Sequence, residues 1–266
     1  MNTSIQERHE KAMQIVSDAA RLALNYFHDI EALHIENKGV QDFVSNADRA
    51  VELAIREQLQ QAYANDGIIG EEHDNIESSS GYTWVIDPID GTSSFVVGMP
   101  GWAVVLACIK DGQAVIGIVK DPVANETFSA IKGQGTTLNG RAISVSQATR
   151  FDQGSTGVGY SNRTDIQQTQ KVLDGLMQES GIFYRCGSGA IMLCYVAAGR
   201  LIAYCEPHMY SWDCVAALLI ISEAGGRHYP YQMDEMLSSG ACIITAGEAL
   251  YPQLQSLCLD AYQMQA

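Results

Sequence analysis

Apolar residues at three- and four-residue spacing open this chain, and from Gly101 onward the spacing changes to that of strands. From about residue 5 to 28, Ala12, Ile15, Val16, Ala19, Leu22, Ala23 and Tyr26 share one face, which predicts a helix. A polar loop centred on Lys38-Gly39 follows. The stretch from Asp42 to Asp48 then leads into a second helix, with Ser45 or Asn46 as N-cap and Val51, Ile55, Leu59 and Ala62 on its inner face. Asp66-Gly67 is a turn. Ile68-Ile69 is a short strand that stops at Gly70-Glu71-Glu72-His73, and residues 74–81 read as an exposed loop. Val85-Ile86 marks the end of a buried strand, closed at Asp87-Pro88 because proline has no N–H to give a central ladder. Asp90-Gly91-Thr92 turns the chain, and Ser93-Ser94-Phe95 opens a helix.

Three strands are expected over residues 102–110, 114–121 and 127–132, the first pair joined at Asp111-Gly112, with another turn at Asn139-Gly140. Residues 150–163 lack periodicity and read as a loop with room for one strand. A helix over 164–180 and a strand over 182–185 come next. Gly187-Ser188-Gly189 opens an apolar helix that ends near Gly199. Such a turn either receives an anion on its backbone N–H groups or simply joins a strand tightly to a helix. A strand over 201–205 ends at Glu206-Pro207-His208. The helix that starts at Trp212-Asp213 is apolar almost all round and belongs in the core, up to Gly225-Gly226. Two strands, 227–229 and 242–245, and a helix over 249–262 complete the chain.

Charge changes the picture. Among 266 residues, 31 acids against 16 bases give a net charge of −15, which argues against nucleic acid as the main partner. An anionic substrate is repelled by that field unless a bound cation reverses it locally. The seven cysteines are odd in number and form no Cys-x-x-Cys pair, so they read as small core residues in a reducing compartment. The N-terminus is too polar for a signal peptide, and no apolar run approaches the ~20 residues that span a bilayer. A cytoplasmic protein without a membrane partner is expected.

The candidate chemistry lies in Trp84 to Phe95. Asp87 and Asp90, three apart at the mouth of a strand, repel each other unless a cation sits between them, and a hard divalent ion takes oxygen ligands. An EF-hand loop is excluded, because its acids alternate and its glycine is sixth. The Asp-x-Asp-Gly-Thr element of phosphatases with a phosphorylated aspartate has one residue fewer between its acids. Taken alone, Asp48 reads as a helix-dipole partner, Asp213 as an N-cap, and Glu71 and Glu72 as solvated acids.

Together these elements resemble the inositol monophosphatase family. Trp-Val-Ile-Asp-Pro-Ile-Asp-Gly-Thr from Trp84 follows Gly70-Glu71-Glu72 and precedes Trp212-Asp213, and the stretch at 42–48 is similar to the family's Asp-x-Val-Thr-x-x-Asp element. The resemblance covers nearly the whole chain. It implies an α+β fold, a layered α/β/α/β/α sandwich of the sugar-phosphatase type, as one domain over residues 1–266. It implies a Mg2+-dependent phosphomonoesterase with two or three ions, attacking by a metal-activated water. Glu71, Asp87, Asp90 and Asp213 match the metal carboxylates, and Ile89 lends its carbonyl. Asp48 and Thr92 match the pair that activates water, with Glu72 assisting. Gly91, Thr92 and Ser93 match the phosphate-facing turn. Gly187, Ser188, Gly189 and Glu206 match the side that faces the alcohol, and Lys38 matches a loop lysine. Inositol monophosphate is the first expected substrate, then histidinol phosphate and a 3′-phosphorylated nucleotide; a regulatory protein that keeps the scaffold without using it is the remaining alternative. Ser93-Ser94-Phe95 departs from the family's usual Thr-Asn-Phe, and the residues after it are about as similar to histidinol-phosphate phosphatases. A homodimer inhibited by lithium is also implied.

Overall fold

The computed structural model describes residues 4–39, 42–160 and 163–264. Helix α1 (Ile5–Phe27) is closed at its start by a capping box between Ser4 and Glu7. Strands β1 (Ile35–Gly39) and β2 (Asp42–Ser45) form an antiparallel pair where the sequence suggested a polar loop. Lys38 falls on β1, and its side chain lies outside the described residues. Helix α2 (Asn46–Ala62) follows directly, with Ser45 as N-cap.

Strand β3 (Gly67–Gly70) runs parallel to β4 (Tyr82–Asp90), and the one-turn helix α3 (Thr92–Phe95) follows. An antiparallel meander then runs through β5 (Ala103–Lys110), β6 (Gln113–Asp121), β7 (Glu126–Ile131), β8 (Thr136–Leu138) and β9 (Arg141–Ala142). The irregular stretch does hold a strand, β10 (Ser155–Val158), before α4 (Ile166–Gln178) and β11 (Ile182–Tyr184). Helix α5 (Gly189–Ala197), strand β12 (Ala203–Met209) and helix α6 (Ser211–Glu223) follow. The chain closes with β13 (Gly226–His228), α7 (Met233–Ser239), β14 (Ala241–Gly247) and α8 (Tyr251–Tyr262).

These elements stack in five layers. Helices α1 and α2 cover one face of the seven-stranded sheet β3-β4-β5-β6-β7-β8-β9. Helices α5 and α6 fill the space between its other face and the five-stranded sheet β11-β10-β12-β14-β13. Helices α4 and α8 cover the far side. The fold is α+β, as expected. Position explains composition: α5 and α6 have no polar face because each packs between two sheets, whereas α1 and α2 keep one face for water.

One expectation is corrected. Strand β4 does not end at Asp87-Pro88 but continues to Asp90. Asp87 pairs with Val105 and Asp90 with Ala103, so β4 carries one extra residue there, a β-bulge. The parallel neighbour β3 has already stopped opposite Ile86, and Pro88 sits inside the bulge, where a missing N–H breaks no ladder. Strand β12 repeats the device. It runs through Pro207 to Met209, with Glu206 opposite Ile243 and Met209 opposite Ala241.

Candidate metal centre and active site

The bulge in β4 and the start of α6 bring three acids together. Asp87, Asp90 and Asp213 each offer one carboxylate oxygen, and these atoms lie within 4.8 Å of one another. Asp87 and Asp90 are buried and Asp213 is half-buried. Backbone donors aim each group. The Ile89 N–H donates to Asp87 Oδ1 (3.0 Å), the Ala190 N–H to Asp90 Oδ2 (2.7 Å) and the Tyr210 N–H to Asp213 Oδ2 (3.2 Å). The Ser188 hydroxyl also donates to Asp90, so one carboxylate ties β4 to the start of α5.

Electrostatics sets the state of these groups. Burial, then the charges of Glu71, Asp90 and Asp213, hold the Asp87 carboxyl well above its ordinary range. Burial raises Asp90 to about 6 against the hydrogen bonds from Ser188 and Ala190, which lower it. Asp213 rises to about 8 through burial and the charges of Asp90 and Glu206. The charge of Glu71 thus acts on this cluster, although the group within 4.8 Å consists of the three aspartates.

Asp48 lies beside the cluster. It is fully buried in the first turn of α2, with Oδ2 accepting from the Ser45 N–H (2.8 Å) and hydroxyl (2.7 Å). Its Oδ1 faces Thr92 Oγ1 at 3.0 Å, and the same hydroxyl is 3.0 Å from the Ile89 carbonyl. One hydroxyl proton cannot serve both acceptors at once. Gly91, at φ +99°, adopts the left-handed region that suits glycine, and a Cβ there would stand 2.9 Å from the Gly101 carbonyl. A Cβ on Gly187 would come closer still to the Ser94 side chain. These backbones meet where no side chain fits. The expected helix start at Ser93 is a single turn, with Ser93 itself exposed.

Burial bears on two of the residues expected on the alcohol side. Ser188 does not present its hydroxyl to a substrate alcohol: it is fully buried, donates to Asp90 and accepts from the Ile191 N–H at 3.0 Å. Its side chain caps α5 instead. Glu206 is buried as well, with the Tyr204 hydroxyl on Oε2, and burial pushes it up to about 7. Gly187 and Gly189, on either side of Ser188, are half-buried.

The sequence reading missed what holds the Gly70–Asp74 turn. Glu52 and Arg56, both buried on α2, pair at 2.6 Å. Glu52 Oε2 accepts from the Glu72 N–H (2.8 Å). The Arg56 guanidinium donates to the carbonyls of His73 (3.0 Å) and Asp74 (2.9 Å). The signal was present as Glu and Arg four apart, but that spacing also marks ordinary exposed pairs.

A sequence model of the inositol monophosphatase family matches residues 4–261. The chain belongs to the inositol monophosphatase family. It is 33% identical to Nus factor SuhB of Haemophilus influenzae over 257 residues, covering 94% of this chain and 96% of that one. It is 32% identical to inositol-1-monophosphatase of Caulobacter vibrioides over 242 residues, covering 89% and 94%. The extragenic suppressor protein suhB of Bartonella henselae has a similar structure, with a TM-score of 0.88 at 29% identity over 94% of this chain and 97% of that one.

The donor set suits the magnesium on which this family generally depends. Oxygen-only ligands and three carboxylates that form no ion pair among the described residues favour a hard divalent ion. Metal-free protein therefore shows a pH dependence of definite sign. The folded-state pKa values of Asp87, Asp90 and Asp213 all lie above the unfolded value of 3.8. The folded chain binds more protons than the unfolded one from about pH 4 to about pH 8, so stability falls as pH rises through that window. In chelator, the melting midpoint is expected to drop by roughly 5–10 °C from pH 5 to pH 8. Added Mg2+ should restore more at pH 8 than at pH 5. A midpoint that climbs with pH in chelator, or a magnesium shift independent of pH, would count against the metal centre.

Proposed function

We propose that the chain is a Mg2+-dependent phosphomonoesterase acting on a small polyol monophosphate, with inositol monophosphate first. Histidinol phosphate and a 3′-phosphorylated nucleotide stand behind it. The observation that carries this reading is the convergence of Asp87, Asp90 and Asp213 beside the hydrogen-bonded Asp48–Thr92 pair. Glu71, Asp87, Asp90, Asp213 and the Ile89 carbonyl would hold the two or three ions of this reading. Bound there, magnesium neutralises phosphoryl charge and makes water more acidic. Thr92 Oγ1 orients the attacking water and Asp48 Oδ1 accepts the proton that Thr92 relays. Ser45 pins the other carboxylate oxygen, and burial raises the basicity of Asp48. Glu72 assists through its place on the turn held by Glu52. The backbone of Gly91, Thr92 and Ser93 meets the phosphate. Gly187, Gly189 and Glu206 border the leaving alcohol. Phosphoryl transfer of this kind rests on positioning and charge neutralisation, which a rigid frame of buried acids supplies.

The same reading takes residues 1–266 as one catalytic domain, cytoplasmic, lithium-sensitive and homodimeric. No helix among the described residues is long and apolar enough to cross a membrane. The exposed apolar edge of β11, Ile182-Phe183-Tyr184, supports self-association.

Phosphate release is the test. Protein with Mg2+ is expected to hydrolyse at least one of inositol phosphates, histidinol phosphate, fructose bisphosphate and 3′-phosphoadenosine phosphate, and none in chelator. Silence across that panel would sink the reading. A second reading has its own support: several relatives bear the name Nus factor SuhB, which is not an enzyme name. Under it the scaffold serves a regulatory contact. A cellular phenotype that survives Asp213→Ala would favour it.

A further inference from the structure

Three arginines of this acidic chain, Arg141, Arg163 and Arg185, are exposed without an ion pair among the described residues, and Arg163 is the one of the three seated over an aromatic ring that precedes a candidate metal ligand. Arg21, Arg49, Arg150, Arg200 and Arg227 on the surface each meet a carboxylate at 2.5–3.0 Å. Arg8 and Arg56 are paired inside. Arg163 is exposed and, among the described residues, meets no carboxylate at ion-pair distance. Its guanidinium instead lies over the Tyr210 ring, 4.5 Å from the centroid.

That ring is itself held on both sides. It stacks on Trp212 (4.7 Å, 26°) and takes the edge of His208 (5.0 Å, 89°). Tyr210 also precedes α6, and its N–H holds the Asp213 carboxylate. The cation is therefore seated three residues from a candidate metal ligand. Its charge reaches Glu206 and Asp213, lowering the pKa of each. Arg185, exposed and, among the described residues, donating to the Tyr160 carbonyl (3.3 Å), also acts on Glu206. Two arginines without carboxylate partners thus border the Glu206 side of the site, in a chain of net charge −15.

Chemistry narrows what such a residue takes. A guanidinium held against an aromatic face is pre-oriented, and its planar fork matches a carboxylate or a phosphate. The phosphoryl end is already served by Asp87, Asp90 and Thr92, and Glu206 borders the leaving alcohol. We propose that Arg163 selects phosphomonoesters whose alcohol part carries a second anionic group, a carboxylate or a further phosphate. The inference rests on the phosphomonoesterase reading and shifts the preference within it, away from inositol monophosphate and histidinol phosphate, whose alcohols carry no second anion, and toward esters such as a 3′-phosphorylated nucleotide.

Matched esters test it. One arm compares glycerol 2-phosphate with 2-phosphoglycerate, which adds a carboxylate. The other compares inositol 1-phosphate with inositol 1,4-bisphosphate, which adds a phosphate. In wild type the doubly anionic member of at least one pair is expected to have the higher kcat/KM, and the winning arm names the anion. Arg163→Gln should cut that kcat/KM ratio by roughly tenfold to a hundredfold, mainly through KM, and Arg163→Lys should recover part of it. A ratio unchanged by Arg163→Gln, or a wild-type preference for the neutral member of both pairs, overturns the proposal and leaves the phosphomonoesterase reading standing. Release from none of the four esters, nor from the wider panel, overturns both.

Discussion

Asp87→Asn is expected to lower phosphate release on the order of a thousandfold or more while leaving a cooperatively folded protein. The two halves of this outcome have one cause. Asp87 is buried, and the charges of Glu71, Asp90 and Asp213 all oppose its ionisation. The amide keeps the shape and can still accept from the Ile89 N–H, but it removes one negative charge from the cluster. In chelator at pH 8 the variant should melt no lower than wild type, because repulsion has been relieved. With Mg2+ the order should invert, since wild type gains a stabilisation that the variant has largely lost. Calorimetry with and without Mg2+ reads this separately from turnover. Full activity in the variant, or an equal magnesium shift, would remove Asp87 from the metal centre.

Glu52→Ala is expected to cost about 3–5 kcal/mol of stability, because it strands the buried Arg56 guanidinium without its counter-charge. At roughly 2–4 °C per kcal/mol for a chain of this size, the midpoint should fall by about 10 °C. Activity measured below the melting range should also fall, because the Glu72 N–H loses its acceptor and the turn carrying Glu71 and Glu72 loosens. Glu52→Leu combined with Arg56→Met separates the two effects. An apolar pair of similar volume should recover much of the stability. It should not recover turnover, because the His73 and Asp74 carbonyls have lost their donors. Recovery of both would mean that the pair serves stability alone.

Local rules show Asp87 and Asp90 as a repelling pair but show Asp48 as a dipole partner and Asp213 as an N-cap; only the resemblance to a family joins the four, because the contact between distant elements is not written in either stretch alone. The path of the chain between them was harder to read. Pro88 and Pro207 look like strand ends, since a proline in a central ladder is costly. Whether a bulge absorbs it depends on where the neighbouring strands stop, which local sequence does not carry. Strands β8 and β9 and helix α7 were missed because two- to seven-residue elements are too short for a period to show. The resemblance places Ser188 on the substrate side; its fully buried hydroxyl depends on the approach of Asp90 from the other sheet, which the local sequence does not carry. Glu52 and Arg163 were overlooked for opposite reasons. One sits in a clean helical pattern where a charge pair looks routine, and the other in a stretch with no pattern at all.

The layering also bears on how such a protein is made. Asp48 and Asp90 leave the ribosome early, whereas Asp213 lies on α6, the helix packed between the two sheets. A nascent chain that ends before α6 leaves the inner face of the large sheet with only α5 to cover it and the carboxylate cluster incomplete. A cation that needs all three carboxylates would therefore be captured only after α6 has packed onto the large sheet.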